Sequence, residues 1–199
     1  MIKEAVVRLG IRHVVITSVT RDDLDDGGAG YFADCIIELR KLDRGLDIEV
    51  LVPDFKGDKN SVEKVISARP DVFSHNIETV PRLYTKVRPQ ADYGRSLEII
   101  RYAKELDSKI ITKSGIMAGL GEIQEEIYEV MSDLRRAGCD VITVGQYLKP
   151  GPDCLEVEEF LKPEEFIKFS RWAEELGFKK NYCSPFVRSS YESSLLGCI

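Results

Sequence analysis

The strongest constraint on the fold is the alternation of short β-branched segments with longer amphipathic segments along the whole chain. The short segments are continuous runs of Val and Ile, a pattern typical of strands buried on both faces of a parallel sheet. We expect strands at 13–18, 47–52, 71–74, 109–112 and 140–144. Apolar residues recur at helical spacing between and after them, which predicts helices over 31–41, 61–68, 95–106, 122–137 and 163–176.

This order of elements predicts an α/β fold with a mostly parallel sheet. Five or six strands are too few for a closed eight-stranded barrel, so the pattern favours an open or partial TIM-like barrel. No low-complexity segment or linker divides the chain, which predicts a single domain over residues 1–199. Ligands of such domains bind in loops at the carboxyl ends of the strands.

Polar clusters follow nearly every predicted strand. They comprise Thr17–Ser18 with Arg21–Asp23, then Asp54, His75–Glu78, Lys113–Ser114 and Gln146. Because the carboxyl ends of parallel strands meet at one edge of a sheet, we expect these side chains to converge. The sequence therefore predicts a site for a polar small molecule at that edge.

The pair Asn76 and Glu78 indicates a specific ligand chemistry. The two residues lie two positions apart after a predicted strand, so in an extended segment their side chains point the same way. A carboxylate beside an amide can hold a diol such as ribose. A solvated loop end is the alternative interpretation. The neighbouring His75, like the isolated His13, is interpreted as structural.

A glycine-rich segment, 113–122, follows the fourth predicted strand. Gly115, Gly119 and Gly121 allow a ligand to approach the backbone, and free N–H groups at the next helix can hold an anion or a ring edge. The spacing is neither the dinucleotide fingerprint nor a P-loop. The alternative is a tight strand-to-helix turn in which Glu122 stabilises the helix N-terminus.

Four basic residues can form a pocket wall for a carboxylate, namely Arg82, Lys86, Arg88 and Lys113. The planar fork of arginine suits this ligand because it binds both carboxylate oxygens. A solvated surface is the alternative. The acidic loop 22–26 lacks the ligand order of an EF-hand, so a calcium site is not predicted.

Charge and cysteine content exclude several classes of function. There are 28 Lys and Arg against 34 Asp and Glu, a net charge of −6, which gives no support for binding nucleic acid or an anionic membrane. No apolar run approaches the roughly 20 residues of a membrane span, and residues 1–10 lack the features of a signal peptide, so we expect a cytoplasmic protein. The five cysteines form no complete motif for zinc or an iron–sulfur cluster.

Six blocks of sequence together resemble one family, the lipoyl synthases, which are radical S-adenosylmethionine (SAM) enzymes. The blocks are VVITSVTRDDLDDGGAGYFADCI, IEVLVPDFKGD, HNIETVPRLYTKVRPQADYGRSLEII, TKSGIMAGLGE, ITVGQYLKP and VRSSY, in the family's order. The resemblance covers about residues 6–191. It implies a partial barrel of the radical SAM type, with a C-terminal extension at about 178–199 that carries the RSSY motif.

The resemblance also implies an activity, cofactors and partners. The family inserts two sulfur atoms at C6 and C8 of a protein-bound octanoyl group. It uses SAM and two [4Fe–4S] clusters, of which one is consumed as the sulfur source. The implied partners are octanoylated lipoyl-carrier domains or the glycine cleavage H protein, and an iron–sulfur carrier protein.

Site residues carry over at matching positions. The resemblance implies that Asn76 and Glu78 face the ribose of SAM. Residues Gly115, Gly119 and Glu122 belong to the family's G-x-I-x-G-x-x-E element on the adenine side, with Met117 in place of Ile, and the backbone at 144–146, up to Gln146, borders the adenine. Arg88 and Lys113 are candidates for the methionine carboxylate or for the substrate. Ser190, or failing that Ser189, corresponds to the serine that binds iron of the auxiliary cluster.

The chain departs from the family pattern in one large respect. The family's CxxxCxxC and Cx4Cx5C motifs precede the segment that matches Met1, and none of the five cysteines here lies at a matching position. We therefore expect the chain to be inactive on its own. The alternatives are a SAM-binding or partner-binding domain without catalysis and, less in keeping with the residues, a metal-independent barrel enzyme such as an aldolase.

Overall fold

The computed structural model describes residues 2–42 and 45–190. Six strands form one parallel sheet in the order β1-β2-β3-β4-β5-β6. The strands are β1 (His13–Thr17), β2 (Asp47–Leu51), β3 (Val72–Ser74), β4 (Ile111–Ala118), β5 (Val141–Gln146) and β6 (Lys180–Cys183). The sheet order follows the chain order and the sheet does not close, so the predicted open α/β barrel is confirmed.

Seven α-helices of the described chain lie before and between these strands. They are α1 (Ile2–Leu9), α2 (Ala29–Arg40), α3 (Lys59–Ser67), α4 (Tyr84–Val87), α5 (Tyr93–Leu106), α6 (Gln124–Arg136) and α7 (Pro163–Glu175). None of these helices combines the length and the apolar character needed to cross a membrane.

Local sequence sets the helix ends. The Asp58 carboxylate accepts hydrogen bonds from the backbone N–H groups of Asn60 and Ser61, at 3.2 and 3.0 Å, and so caps α3. Asp92 caps α5 in the same way, by accepting from the N–H of Arg95 at 2.7 Å. Gly138 follows α6 with a φ of +90°, a left-handed conformation that glycine adopts without strain.

The core lies between the sheet and its helices. Val50 and Phe73 pack against α2, α3 and α5, whereas Ile116, Ile142 and Val144 belong to a second cluster with α6 and α7. A smaller apolar cluster on the inner, concave face joins the strands themselves and consists of Val72, Val141, Ile111 and Tyr182. The helices therefore cover the outer face and leave the inner face to line a cavity.

Two predictions about elements are corrected. The strand predicted at 109–112 is wrong in extent, because β4 runs to Ala118 and includes Gly115. The segment predicted as a turn therefore begins only after Ala118. The sequence pattern did not predict α1, α4 or β6. Strand β6 belongs to the predicted C-terminal extension, of which 191–199 lie outside the described residues.

Candidate functional site

A cavity of about 220 Å³ opens at the carboxyl edge of β3, β4 and β5. Its wall includes Asn76 and Glu78 after β3, Gly115 on β4, and the segment 187–189 after β6. The sheet thus brings together residues from four places in the chain. Of the polar side chains predicted to converge at this edge, Asn76, Glu78 and Gln146 line this cavity.

Glu78 has an unusual backbone. Its φ is +67°, a left-handed conformation that costs a non-glycine residue about 1–3 kcal/mol. The conformation is held from both sides, because the Glu78 N–H donates to the Gly115 carbonyl at 2.9 Å and the Met117 N–H donates to the Glu78 carbonyl at 2.8 Å. These bonds fix the direction of the Glu78 side chain relative to β4.

Asn76 and Glu78 form the polar pair that the spacing predicts. The Asn76 Nδ2 donates to Glu78 Oε1 at 3.0 Å, and burial raises the pKa of the Glu78 carboxyl. Asn76 Oδ1 is buried and has no hydrogen-bond partner among the described residues. A buried acceptor without a donor is costly, so this atom is suited to a ligand hydroxyl or amine.

Gly115 leaves no space for a side chain beside this pair. A Cβ at Gly115 would lie 2.8 Å from Thr143 Oγ1 and 3.0 Å from Asn76 Oδ1. Its backbone conformation is ordinary for a strand, so the requirement for glycine comes from the close approach of β3 and β5 residues. The glycine therefore keeps the floor of the cavity open.

Arg88 lies between this cavity and a larger one. Its Nη1 donates to the carbonyls of Asn76 and Ile77 at 3.0 and 3.3 Å and to the Tyr84 hydroxyl at 3.3 Å. Among the described residues no carboxylate pairs with Arg88 within 4 Å. The guanidinium is half-buried and lines the larger cavity, so it can receive an anionic group there.

The larger cavity has a volume of about 550 Å³ and charged walls. An ion pair of 2.7 Å joins Arg95 and Asp54 on one side, and a looser pair of 3.5 Å joins Lys56 and Asp22 on another. The cation of Arg88 faces the same space. This cavity suits a charged ligand group better than a hydrocarbon chain.

His75, between Ser74 of β3 and Asn76 in the chain, is neutral. Burial lowers its pKa to about 4, and its Nδ1 donates to the Val52 carbonyl at 2.9 Å. That bond orders the ends of β2 and β3, in agreement with the structural interpretation of His75.

The predicted polar cluster Arg21–Asp23 lies in the loop after β1, where Asp22 borders the larger cavity.

Lys113 was expected in a basic pocket wall, but it lines neither of these two cavities. It is only 1% exposed, and its Nζ lies 3.1 Å from Glu49 Oε1 of β2, on the inner face beneath the smaller cavity. Ser74 Oγ donates to the same carboxylate oxygen at 2.8 Å. Glu49 was not predicted as a site residue, although a charged residue inside the apolar strand segment IEVL indicates an inward-facing polar group.

The other predicted residues organise the loops around the site. The Glu122 carboxylate accepts from the backbone N–H groups of Gly119 and Leu120, the second at 2.9 Å. Gly119 has a φ of +106°, and a Cβ there would lie 2.4 Å from the Glu159 carbonyl. The Gln146 side chain donates to that carbonyl at 2.9 Å. These contacts hold the loops after β4 and β5 together.

The two serines follow β6 at the end of the described chain. Ser189 lines the smaller cavity, and Ser190 is the last described residue. Residues 187–189 pack closely on β5, since a Cβ at Gly145 would lie 2.3 Å from the Val187 carbonyl oxygen. Over residues 2–42 and 45–190, no group of three or more His, Cys, Asp or Glu side chains is placed to hold a metal ion.

These residues fit the SAM that the resemblance implies, but not an iron–sulfur cluster. The buried Asn76 Oδ1 and the Glu78 carboxyl match the hydroxyls of a ribose, and the Arg88 cation matches a carboxylate. The volume of the smaller cavity, about 220 Å³, is below the roughly 300–1,000 Å³ of typical ligand sites. A ligand as large as SAM therefore needs space outside it, which the larger cavity offers. No cysteine set of the described chain matches a cluster.

Comparisons with known proteins identify the family of the chain. The family model of the radical SAM superfamily matches residues 1–134. The chain is 55% identical over 194 residues to the lipoyl synthase of Caldanaerobacter subterraneus subsp. tengcongensis, covering 98% of this chain and 68% of that protein. It is 54% identical to the lipoyl synthase of Rubrobacter xylanophilus, covering 96% of this chain and 60% of that protein.

Solved structures show the same fold at low sequence identity. Methylornithine synthase superposes with a TM-score of 0.69 at 17% identity, covering 98% of this chain and 66% of that one. SuiB of Streptococcus suis superposes with a TM-score of 0.68 at 13% identity, covering 92% and 41%. The chain spans about 60–68% of the length of the curated relatives cited here. By its sequence, the chain belongs to the lipoyl synthase family of the radical SAM superfamily.

Proposed function

We propose that this chain is the greater part of a lipoyl synthase, which inserts sulfur at C6 and C8 of a protein-bound octanoyl group. The observation that carries the proposal is the Asn76–Glu78 pair with its buried unsatisfied oxygen, in a chain 55% identical to a lipoyl synthase. The substrate, the position of sulfur insertion and the partner proteins are properties of the family that we extend to this chain.

The smaller cavity holds the adenosyl group in this proposal. Asn76 Oδ1 accepts a hydrogen bond from one ribose hydroxyl, and the Glu78 carboxyl accepts from the other. The backbone of β4 and β5, from Gly115 and from 144–146, borders the adenine ring. Arg88, directed into the larger cavity, binds the methionine carboxylate.

When bound and reductively cleaved, SAM supplies a radical that removes hydrogen from an unactivated carbon, whereas the protein positions the reactants. The role of this chain is therefore to bind and orient. The Glu78 backbone bonds to β4 fix the ribose ligands, and the Glu122 and Gln146 contacts hold the loops that enclose the site. Preorganised polar groups of this kind reduce the cost of ordering a ligand.

We further propose that the chain needs cysteine ligands from a segment outside its sequence. The family's two cysteine motifs are missing here, and Ser190, with Ser189 as second choice, would supply only a single oxygen to the auxiliary cluster. The proposal therefore includes two [4Fe–4S] clusters in the full assembly and an inactive isolated chain. A cytoplasmic location stays a prediction, as do the carrier proteins named above.

A SAM-binding domain without catalysis is the second candidate. The same cavity supports it, because ribose ligands alone do not require a cluster. The presence of VRSSY favours the first candidate, since a simple binding domain has no use for a cluster-ligating serine. An aldolase needs a lysine that its substrate can reach, whereas Lys113 is 1% exposed and lines neither cavity of the candidate site.

Anaerobic reconstitution tests the proposal. The isolated chain is compared with a fusion in which a segment that carries the family's CxxxCxxC and Cx4Cx5C motifs precedes Met1. We expect the fusion to bind roughly eight irons, as two four-iron clusters require, and to lipoylate an octanoylated carrier, while the isolated chain does neither. A fusion that binds the iron and SAM but never forms lipoyl product would favour the second candidate. Formation of product by the isolated chain would contradict the missing-ligand argument.

A further inference from the structure

A buried ion pair lies directly beneath the smaller cavity. Lys113 and Glu49 are each 1% exposed, and Nζ lies 3.1 and 3.3 Å from the two carboxylate oxygens. His13 Nε2 lies 3.6 Å from Glu49 Oε2, and Ser74 Oγ donates to Oε1 at 2.8 Å. The four residues come from four adjacent strands, β1 to β4.

The register places this pair one layer below the ribose ligands. Ser74 is paired with Lys113 across β3 and β4, and Gly115 lies two residues further along β4 on the same face. Asn76 similarly lies two residues beyond Ser74. The distance along the strand is roughly 6.6 Å, so Lys113 belongs to the layer beneath the cavity rather than to its wall. The residues lining the cavity include neither Lys113 nor Glu49.

Beside the pair lies the apolar inner cluster of Val72, Val141, Ile111 and Tyr182, in which Val72 is paired with Glu49 and Val141 with Lys113 across neighbouring strands. A buried ion pair among apolar residues is a costly arrangement, since apolar residues of similar volume are often as stable or more stable. Burial in fact lowers the pKa of Lys113, although Glu49 opposes the shift. The pair therefore needs an explanation other than stability.

We propose that Lys113 and Glu49 are positioning residues that set the geometry of Asn76, Glu78 and Gly115 for the adenosyl group without touching it. Glu49 holds Ser74, which leads through His75 into Asn76, and Lys113 holds the same carboxylate from β4. The carboxyl ends of β3 and β4 are thereby locked at one separation. That separation is also fixed by the two backbone bonds between Glu78 and β4.

This inference rests on the proposed adenosyl site. It predicts a result different from the one expected if Lys113 contacted SAM directly. If Lys113 bound the methionine carboxylate, its loss would weaken SAM but not 5′-deoxyadenosine, which has no carboxylate. If the pair positions the ribose ligands, its loss weakens both ligands to a similar extent. A purely structural pair would change neither affinity in the folded protein.

The test uses the variant Lys113→Met/Glu49→Gln, which removes both charges and nearly keeps the side-chain volumes. Its matched control is Lys3→Met/Glu38→Gln, an exposed pair of 2.8 Å between α1 and α2. Affinities for SAM and for 5′-deoxyadenosine are measured by calorimetry on the folded chain. Amide hydrogen exchange at Glu78 and Met117 supplies a readout that needs no ligand.

We expect the buried-pair variant to fold, to bind both ligands at least tenfold more weakly, and to lose protection at the two amides. The control should match the unmodified chain in all three respects. Unchanged affinity for 5′-deoxyadenosine would overturn the proposal, whether or not SAM binding falls, and so would unchanged exchange. Failure of the unmodified chain to bind either ligand would instead overturn the proposed function, and the exchange measurement would still decide whether the pair orders these amides.

Discussion

The two faces of the sheet are made from the same strands but differ in composition. On the outer face, Val50, Phe73 and Ile142 are fully buried against helices. On the inner face, Glu49, Ser74 and Lys113 form a buried polar layer, followed by the cavity. The two faces therefore have different tasks under the proposed function: apolar contacts on one face stabilise the domain, and we propose that the costly polar groups on the other position a ligand.

Breaking the inner ion pair from one side has the largest expected effect. Lys113→Met leaves the Glu49 carboxylate buried without the ammonium 3.1 Å away, which should lower the free energy of unfolding by about 3–5 kcal/mol. Lys113→Met/Glu49→Gln should recover most of that loss. Urea denaturation of both variants measures the difference. Equal destabilisation of the single and double variants would show that the cost does not come from an isolated charge.

A cavity on the outer face comes next in size. Ile142 is 0% exposed, and Ile142→Ala should cost about 2–5 kcal/mol because the surrounding side chains cannot fully collapse. Affinity for SAM, measured well below the unfolding temperature, should remain unchanged. A loss of affinity in the folded variant would mean that the two faces are not separable in function.

An added methyl group on the inner face should impair ligand binding as well as stability. In Gly115→Ala the new Cβ meets Thr143 Oγ1 at 2.8 Å and Asn76 Oδ1 at 3.0 Å, so overpacking should cost about 1–3 kcal/mol. We also expect at least tenfold weaker binding of SAM, because the Asn76 amide must move. Gly151→Ala is the matched control, since no atom lies within 4 Å of its added Cβ. Similar affinities for the two variants would remove Gly115 from the site.

The smallest effect belongs to Asp58, a helix cap that lines neither cavity of the candidate site. Asp58→Ala should destabilise the protein by about 1 kcal/mol, without any change in ligand affinity. The Ser61 hydroxyl, together with backbone N–H groups, lowers the pKa of Asp58, so its contribution is fully present above the unfolded pKa of about 3.9 and is lost as pH falls through the lower, folded pKa. Unfolding curves between pH 2 and 7 should therefore converge for the two proteins only in acid. A difference that is constant with pH would exclude this cap.

The sequence predicted the outer face well and the inner face in part. Continuous Val and Ile in β2 and β5 were enough to predict buried parallel strands, and the polar residues after the predicted third strand pointed to Asn76 and Glu78. β6 was missed because Lys180–Cys183 has no β-branched residue. The end of β4 was misplaced because Gly115 resembles a turn residue in sequence, whereas its cause is a close approach that only the packed sheet shows.

The pairing of Lys113 could not be predicted for a similar reason. Its partner Glu49 is 64 residues away, and the contact depends on the register of three strands. Propensity and spacing are local properties, so they place a lysine at a strand but do not assign it a carboxylate on another. The left-handed backbone of Glu78 is likewise imposed by bonds to β4 rather than by its own sequence.

The most direct test of the central claim is the dissociation constant of SAM for the unmodified chain and for Asn76→Ala, measured by calorimetry. Asn60→Ala, at an exposed position on α3, is the control. If Asn76 and Glu78 bind the ribose, the unmodified chain and the control bind SAM equally and Asn76→Ala binds at least tenfold more weakly, a loss of about 1.4 kcal/mol. Equal affinity of all three proteins, or no binding by the unmodified chain, would contradict an adenosyl site at this edge of the sheet.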